Sequence, residues 1–186
     1  MMPEISLNIL DVAENSTRAG ASLVTILVTA DTSADKLTIV IADNGCGMTL
    51  NRQPCNGSFF TTRTTRKVGL GIPFFEQEAE CTGGSFSISS VPGKGTDIEA
   101  VFCTDNIDCM PLGNLNETVH SLIVMHPDID FYYGYQVNEA EFHLDTKEMR
   151  EMLGGVPLNT PEVSSFIRDY LEENESDINR MQNYPG

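Results

Sequence analysis

The stretch "KLTIVIADNGCGM", residues 36–48, joins a run of aliphatic and β-branched residues to an aspartate and two glycines. The first part predicts a strand, because β-branched side chains favour an extended backbone. Asp43 lies where that strand ends, and Gly45 and Gly47 allow the backbone to approach a ligand closely. A carboxylate in such a place can accept a hydrogen bond from an exocyclic amino group such as that of adenine. The alternative is an ordinary Asp-Gly turn.

The residues before this strand predict a hairpin and a helix. "SLVTILVTA", residues 22–30, is a second strand, and the polar "DTSAD" between the two strands suits a turn. Residues 4–19 have apolar side chains at helical spacing, and Gly20 follows as a stop signal. We therefore expect one helix, followed by two antiparallel strands.

Three polar residues of this helix, Asn8, Asp11 and Asn15, are spaced three and four apart and share one face. An amide oxygen can ligate a hard cation such as Mg²⁺. A carboxylate on the same face can act as a base toward water or a hydroxyl. The alternative is a plain solvated polar face.

Residues 44–68 show no clear periodicity, and a loop of that length inside a compact domain is usually functional. Its last part continues into a predicted helix over residues 70–82. The basic and glycine residues at this junction are Arg63, Arg66, Lys67, Gly69 and Gly71. Free N–H groups in the first turn of a helix favour phosphate, and arginine can bind phosphate through two hydrogen bonds.

The remaining residues predict further strands and helices. A second hairpin is expected over residues 85–102 and a helix over 116–125. A third hairpin turns at Asn138-Glu139, and a short helix is expected to be capped by Thr146. A helix of about twenty residues opens at Thr160-Pro161-Glu162.

The composition excludes several classes of function. The formal net charge is -16 and the pI is near 4.3, which opposes binding to duplex nucleic acid or to an anionic membrane surface. No run approaches the roughly 20 apolar residues of a spanning helix. Five cysteines without CxxC spacing indicate reduced thiols. With an acidic N-terminal segment unlike a signal peptide, these features predict a cytoplasmic protein.

Taken in order, the motifs resemble those of the GHKL ATPase superfamily, which includes gyrase B subunits, heat-shock chaperones, mismatch-repair ATPases and sensor histidine kinases. "DVAENSTRAGA", residues 11–21, resembles the N box and is closest to the mismatch-repair version. "DNGCGM", residues 43–48, resembles the DxGxG box. Residues 67–102 resemble the G2 box, helix, hairpin and closing GT element of a histidine kinase. The resemblance covers residues 4–103.

The resemblance implies an α+β fold, a two-layer α/β sandwich with a mixed, mostly antiparallel sheet and a C-terminal hairpin-and-helix extension. Residues 1–103 would form the ATP-binding domain. Residues 104–186 contain no motif that resembles a known family, and they would form an extension of unknown role that packs on the first domain.

The resemblance also implies ATP and Mg²⁺ as cofactors. Asn15 would ligate Mg²⁺, Asp43 would read the adenine amino group, and Thr96 would lie under the base. The basic loop would be an ATP lid. The residues predicted to contact the nucleotide are Asn8, Asn15, Asp43, Gly45, Gly47, Met48, Arg63, Arg66, Lys67, Gly69, Leu70, Gly71 and Thr96.

Two functions follow from this resemblance. The first is a stand-alone histidine-kinase-like phosphotransferase or ATPase in signalling, with Asp11 as the catalytic base. Hydrolysing relatives commonly have Glu at this place, so the shorter Asp11 suggests slow turnover or none. The alternative is a non-enzymatic switch that docks an unidentified partner protein when ATP binds, as anti-sigma-like relatives do. His120 and His126 are interpreted as packing histidines and not as phospho-acceptors.

Overall fold

The computed structural model describes residues 4–52, 59–61 and 71–186. These residues contain five helices and eight strands, and an α+β fold is confirmed. In chain order they are α1 (Ile5–Arg18), β1 (Leu23–Asp31), β2 (Lys36–Asp43), β3 (Leu50–Arg52), β4 (Phe59–Thr61), α2 (Gly71–Cys81), β5 (Ser85–Val91), β6 (Gly95–Cys103), α3 (Leu115–Met125), β7 (Asp130–Val137), β8 (Ala140–Asp145), α4 (Thr146–Met152) and α5 (Pro161–Gln182). None of the helices in the described residues has the length and apolar character that crossing a membrane requires.

Six of the strands form one sheet in the order β5-β6-β2-β1-β7-β8. The β1–β7 pair is parallel, and the other four neighbouring pairs are antiparallel. The predicted mixed, mostly antiparallel sheet is therefore confirmed. Strands β3 and β4 form a separate antiparallel pair inside the segment in which the sequence shows no periodicity.

Strict alternation along the central strands places one face of the sheet against the helices. On β2, Ile39 and Ile41 are buried while Val40 between them is partly exposed. Helix α1 packs on this buried face through Ile9 and Val12, which are equally inaccessible. Helix α2 contacts β5 and β6, and helices α3 and α5 contact β7. The two layers therefore share one continuous apolar core.

Residues after position 104 join the same sheet and helix layer. Strand β7 pairs with β1 over the register Leu23↔Asp130 to Ala30↔Val137. Helix α3 packs beside α1, and just after it His126 Nε2 lies 2.8 Å from Glu14 Oε1. His120 on α3 is buried and its Nε2 hydrogen bonds with Ser164 Oγ of α5 at 2.8 Å, as expected for a packing histidine.

The predicted cap of the short helix α4 is wrong by one residue. Asp145 is the cap, since its Oδ1 accepts a hydrogen bond from the backbone N–H of Lys147 at 2.8 Å. Thr146 is fully buried, and its hydroxyl accepts the backbone N–H of Phe131 at 2.8 Å. Asp and Thr are both good caps. Because the Thr146 side chain is buried against β7, Asp145 caps the helix.

Two buried tyrosines of β7 differ in their hydrogen bonding. Tyr135 donates its hydroxyl to Asn179 Oδ1 of α5 at 2.8 Å. The hydroxyl of Tyr133 is equally buried, and within the described part of the chain it has no partner. Burial raises the pKa of both tyrosines, so both hydroxyls stay neutral. An unpartnered buried hydroxyl opposes folding, whereas a partnered one favours it.

Phenylalanine substitutions at these two positions should have opposite effects on stability. Tyr133→Phe should raise the free energy of unfolding by about 1 kcal/mol, because it removes a polar group that gains no hydrogen bond on folding. Tyr135→Phe should lower it by about 1 kcal/mol, because Asn179 loses its donor. Urea unfolding at unchanged m-value measures both. Equal losses in the two variants would show that the Tyr133 hydroxyl has a partner.

Candidate functional site

Asp43 is the last residue of β2 and continues the row of that strand that faces the helices. Its carboxylate is held on both oxygens. Ser16 Oγ of α1 donates to Oδ2 at 2.6 Å, and the backbone N–H of Gly45 donates to Oδ1 at 2.8 Å. Asp43 remains partly exposed, so its carboxylate is oriented by the protein and still accessible to a ligand.

A polar row extends from Asp43 across two neighbouring strands. Thr96 of β6 is paired with Asp43, and Ser90 of β5 is paired with Thr96. The hydroxyls of Ser90 and Thr96 are 2.8 Å apart, and Ser90 Oγ accepts the backbone N–H of Met48 at 2.9 Å. The structure therefore places Thr96 beside Asp43 and links Met48 to the same row through Ser90.

The loop after Asp43 is fixed at both ends by backbone hydrogen bonds. The N–H of Cys46 donates to the carbonyl oxygen of Ala19, just after α1, at 2.9 Å. The carbonyl oxygen of Cys46 accepts the N–H of Gly93 in the β5–β6 turn at 2.7 Å. The loop is thus held between the helix layer and the neighbouring hairpin.

Gly45 and Gly47 are both required by close packing. A Cβ at Gly45 would lie 3.0 Å from Asp43 Oδ1 and from the Cβ of Ala19. Gly47 has a φ of +62°, and a Cβ there would overlap the carbonyl oxygen of Val91. The absence of a side chain at residue 45 therefore lets the loop backbone pack closely against Asp43 and Ala19.

The polar face of α1 points toward α2 at one end. A Cβ at Gly71, the first residue of α2, would overlap the carboxylate of Asp11. Asn15, one turn further along α1, is partly exposed, and its side chain makes no hydrogen bond with the residues described. The carboxylate of Asp11 and the amide of Asn15, which has no hydrogen-bond partner among the described residues, therefore lie on the helix whose Ser16 bonds to Asp43.

Asn8 has different surroundings from the other two polar residues of this face. It is fully buried, and its Nδ2 donates to Glu78 Oε2 of α2. Its Oδ1 is also buried and has no hydrogen-bond partner among the described residues. A plain solvated polar face is therefore excluded at Asn8, and its predicted contact with a nucleotide stays a prediction.

The basic part of the predicted site lies outside the described residues. Its members are Arg63, Arg66 and Lys67 of the predicted lid, followed by Gly69 and Leu70.

Two side chains that organise the site, Ser16 and Ser90, were not predicted from the sequence. A usable signal existed for Ser16, because it falls at helical spacing with the buried Ile5, Ile9 and Val12. A polar residue in an apolar stripe needs a buried partner. No comparable signal marks Ser90, since "SFSISSV" contains several serines and only the strand register singles out one.

The sequence model of the family described as histidine kinase-, DNA gyrase B-, and HSP90-like ATPase matches residues 2–106. This segment includes more than half of the chain and all the site residues described above. The chain therefore belongs to the histidine kinase-, DNA gyrase B- and HSP90-like ATPase family, and the resemblance drawn from the sequence motifs is confirmed. Family membership supports ATP binding. No curated protein matches the sequence significantly.

Two solved structures are similar to this chain. The Aquifex aeolicus MutL ATPase domain complexed with ADP has a TM-score of 0.49 and 12% sequence identity, and the match covers 83% of this chain and 70% of that chain. The N-terminal domain of a DNA repair protein has a TM-score of 0.49 and 14% identity, and the match covers 77% of this chain and 52% of that chain.

Alanine substitutions at Gly93 of the β5–β6 turn and Gly47 of the Asp43 loop should separate backbone strain from steric overlap. Gly93 has a φ of +80° and open space where a Cβ would lie, so Gly93→Ala should lower the free energy of unfolding by about 1 kcal/mol. Gly47→Ala adds an overlap with the Val91 carbonyl and should lower it by about 3 kcal/mol. Urea unfolding of both variants tests this, and equal losses would contradict the packing described for Gly47.

Proposed function

We propose that this protein binds ATP together with Mg²⁺, with the adenine base at Asp43 and the phosphates near Asp11, Asn15 and Gly71. One observation carries the proposal. Ser16 holds the Asp43 carboxylate at 2.6 Å, and Asn15, the preceding residue, has an unpartnered amide among the described residues. A single turn of α1 thus joins a base-reading carboxylate to a side chain suited to a metal-bound phosphate.

The hydrogen bonds at Asp43 favour adenine over guanine. Ser16 and Gly45 already donate to the carboxylate, whose remaining lone pairs can only accept. The 6-amino group of adenine is a donor. Guanine has a carbonyl oxygen at that position, which would place two acceptors together.

The described residues fit an adenine nucleotide and its metal ion. Because residues 45 and 71 have no side chains, the backbone lies directly beside the carboxylates of Asp43 and Asp11. The amide oxygen of Asn15 is a hard ligand of the kind Mg²⁺ prefers. In the described part of the chain no group of three or more His, Cys, Asp or Glu residues could hold a metal ion. Mg²⁺ commonly binds through one or two protein ligands and substrate phosphates, and it would offset the phosphate charge.

Asp11 is the proposed base for phosphoryl transfer. As the oxygen of a water or an acceptor hydroxyl attacks the γ-phosphorus of ATP, Asp11 would accept its proton. The bond between the γ-phosphorus and the bridging oxygen would break and leave ADP. The position of Asp11 against Gly71 supports this role, because the first turn of a helix favours negatively charged groups such as phosphate.

A second function, an ATP-dependent switch that docks a partner protein, is favoured by one contact. Glu14, beside Asn15, pairs with His126 at 2.8 Å. A nucleotide that shifts α1 would therefore act directly on residues after α3, in the part of the chain that the family match leaves uncovered. Tight ATP binding without any turnover would support the switch.

Replacement of Asp43 should abolish the preference for adenine. We expect the wild-type protein to bind ATP at least tenfold more tightly than GTP in isothermal titration, and Asp43→Asn to lose that difference. Asp97→Asn is a matched control, because Asp97 lies on the exposed face of the sheet opposite Ala42 and its loss removes the same charge. The base assignment fails if Asp43→Asn still prefers ATP over GTP.

Replacement of Asp11 should remove catalysis and leave binding intact. With γ-labelled ATP in single-turnover conditions, labelled phosphate should appear in solution or on protein, and Asp11→Asn should slow this by about 100-fold or more. Asp11→Glu, which restores the length common in hydrolysing relatives, should keep turnover. Equal rates for wild type and Asp11→Asn would exclude Asp11 as the base.

A further inference from the structure

Ser16 is a polar residue in a core position of α1. It lies in the same stripe as Ile9 and Val12, and it is only 4% exposed. An apolar residue would pack as well there, and a buried hydroxyl without a partner would be unfavourable. The presence of a hydroxyl at this position is explained by the hydrogen bond that it makes.

That hydrogen bond has a fixed direction and a specific effect. An ionised carboxylate can only accept, so Ser16 Oγ is the donor to Asp43 Oδ2 at 2.6 Å. The backbone N–H of Gly45 donates to the other oxygen at 2.8 Å. With both oxygens held, the plane of the carboxylate is fixed. Of these two bonds, the one from Ser16 comes from a side chain and the one from Gly45 from the backbone.

We propose that Ser16 is a positioning residue that sets the selectivity of the site for 6-aminopurines by holding the Asp43 carboxylate in the orientation that accepts from the base. The inference rests on the proposed function. Because Ser16 is on α1 with Asp11 and Asn15, the same bond fixes the base-reading group relative to the side chains that face the phosphates.

The test compares ATP with purine riboside triphosphate, which differs only by lacking the 6-amino group. Isothermal titration should give the wild-type protein about tenfold or greater preference for ATP, the effect of one hydrogen bond to a charged group. In Ser16→Ala the dissociation constants for the two triphosphates should differ by no more than about threefold. The affinity of this variant for purine riboside triphosphate should stay within about twofold of wild type. Ser16→Thr, which keeps the hydroxyl donor, should retain the preference.

The outcomes are distinguishable. If Ser16→Ala weakens both triphosphates by the same factor, Ser16 acts only on the structure of the site, and the inference is overturned. It is also overturned if the ratio in Ser16→Ala equals that of wild type. A wild-type protein that binds neither triphosphate overturns the proposed function itself, and urea unfolding of each variant confirms that it is folded.

Discussion

The alternation of side chains along β2 is the constraint on which the rest of the molecule depends. Ile39 and Ile41 face the helices and form the centre of the core. Asp43 is two residues further along, so the same alternation points it to the same side. A shift of one residue in the register of β2 would move the isoleucines to the open face and would turn Asp43 away from α1. The strand register that buries Ile39 and Ile41 therefore also sets the orientation of the Asp43 carboxylate.

The cross-strand row through Asp43 shows how the site is separated from the core. On one side the row continues through Thr96 and Ser90, whose hydroxyls are hydrogen bonded. On the other side it continues through Val24 and Phe131, which are fully buried. Asp43 therefore stands at a boundary, with polar partners on one flank and apolar packing on the other. This position keeps the carboxylate fixed without isolating it from a ligand.

Local periodicity was sufficient to predict the elements that contain the site. The helix over residues 4–19 and the strand that ends at Asp43 repeat with their own periods, and the glycine motifs identify the loop between layers. Contacts between distant residues were not predictable in this way. The Ser16–Asp43 bond, the burial of Asn8 against α2 and the parallel β1–β7 pairing depend on packing that no local pattern encodes. The local pattern therefore predicted the elements that carry Asp43 and Asn15, whereas the side chain that positions Asp43 is seen only in the fold.

The last turn of α1 shows how the backbone of Asn15 is held in place. Consecutive helical residues point in directions about 100° apart. Glu14 pairs with His126 beyond α3, and Ser16 bonds to Asp43 at the end of β2. The turn is therefore fixed from two sides by contacts of 2.8 Å and 2.6 Å. Asn15 lies between these two anchors, so its backbone is held while its amide stays available. A helix fixed in this way can present the Asn15 amide, the proposed Mg²⁺ ligand, without using that amide to stabilise the fold.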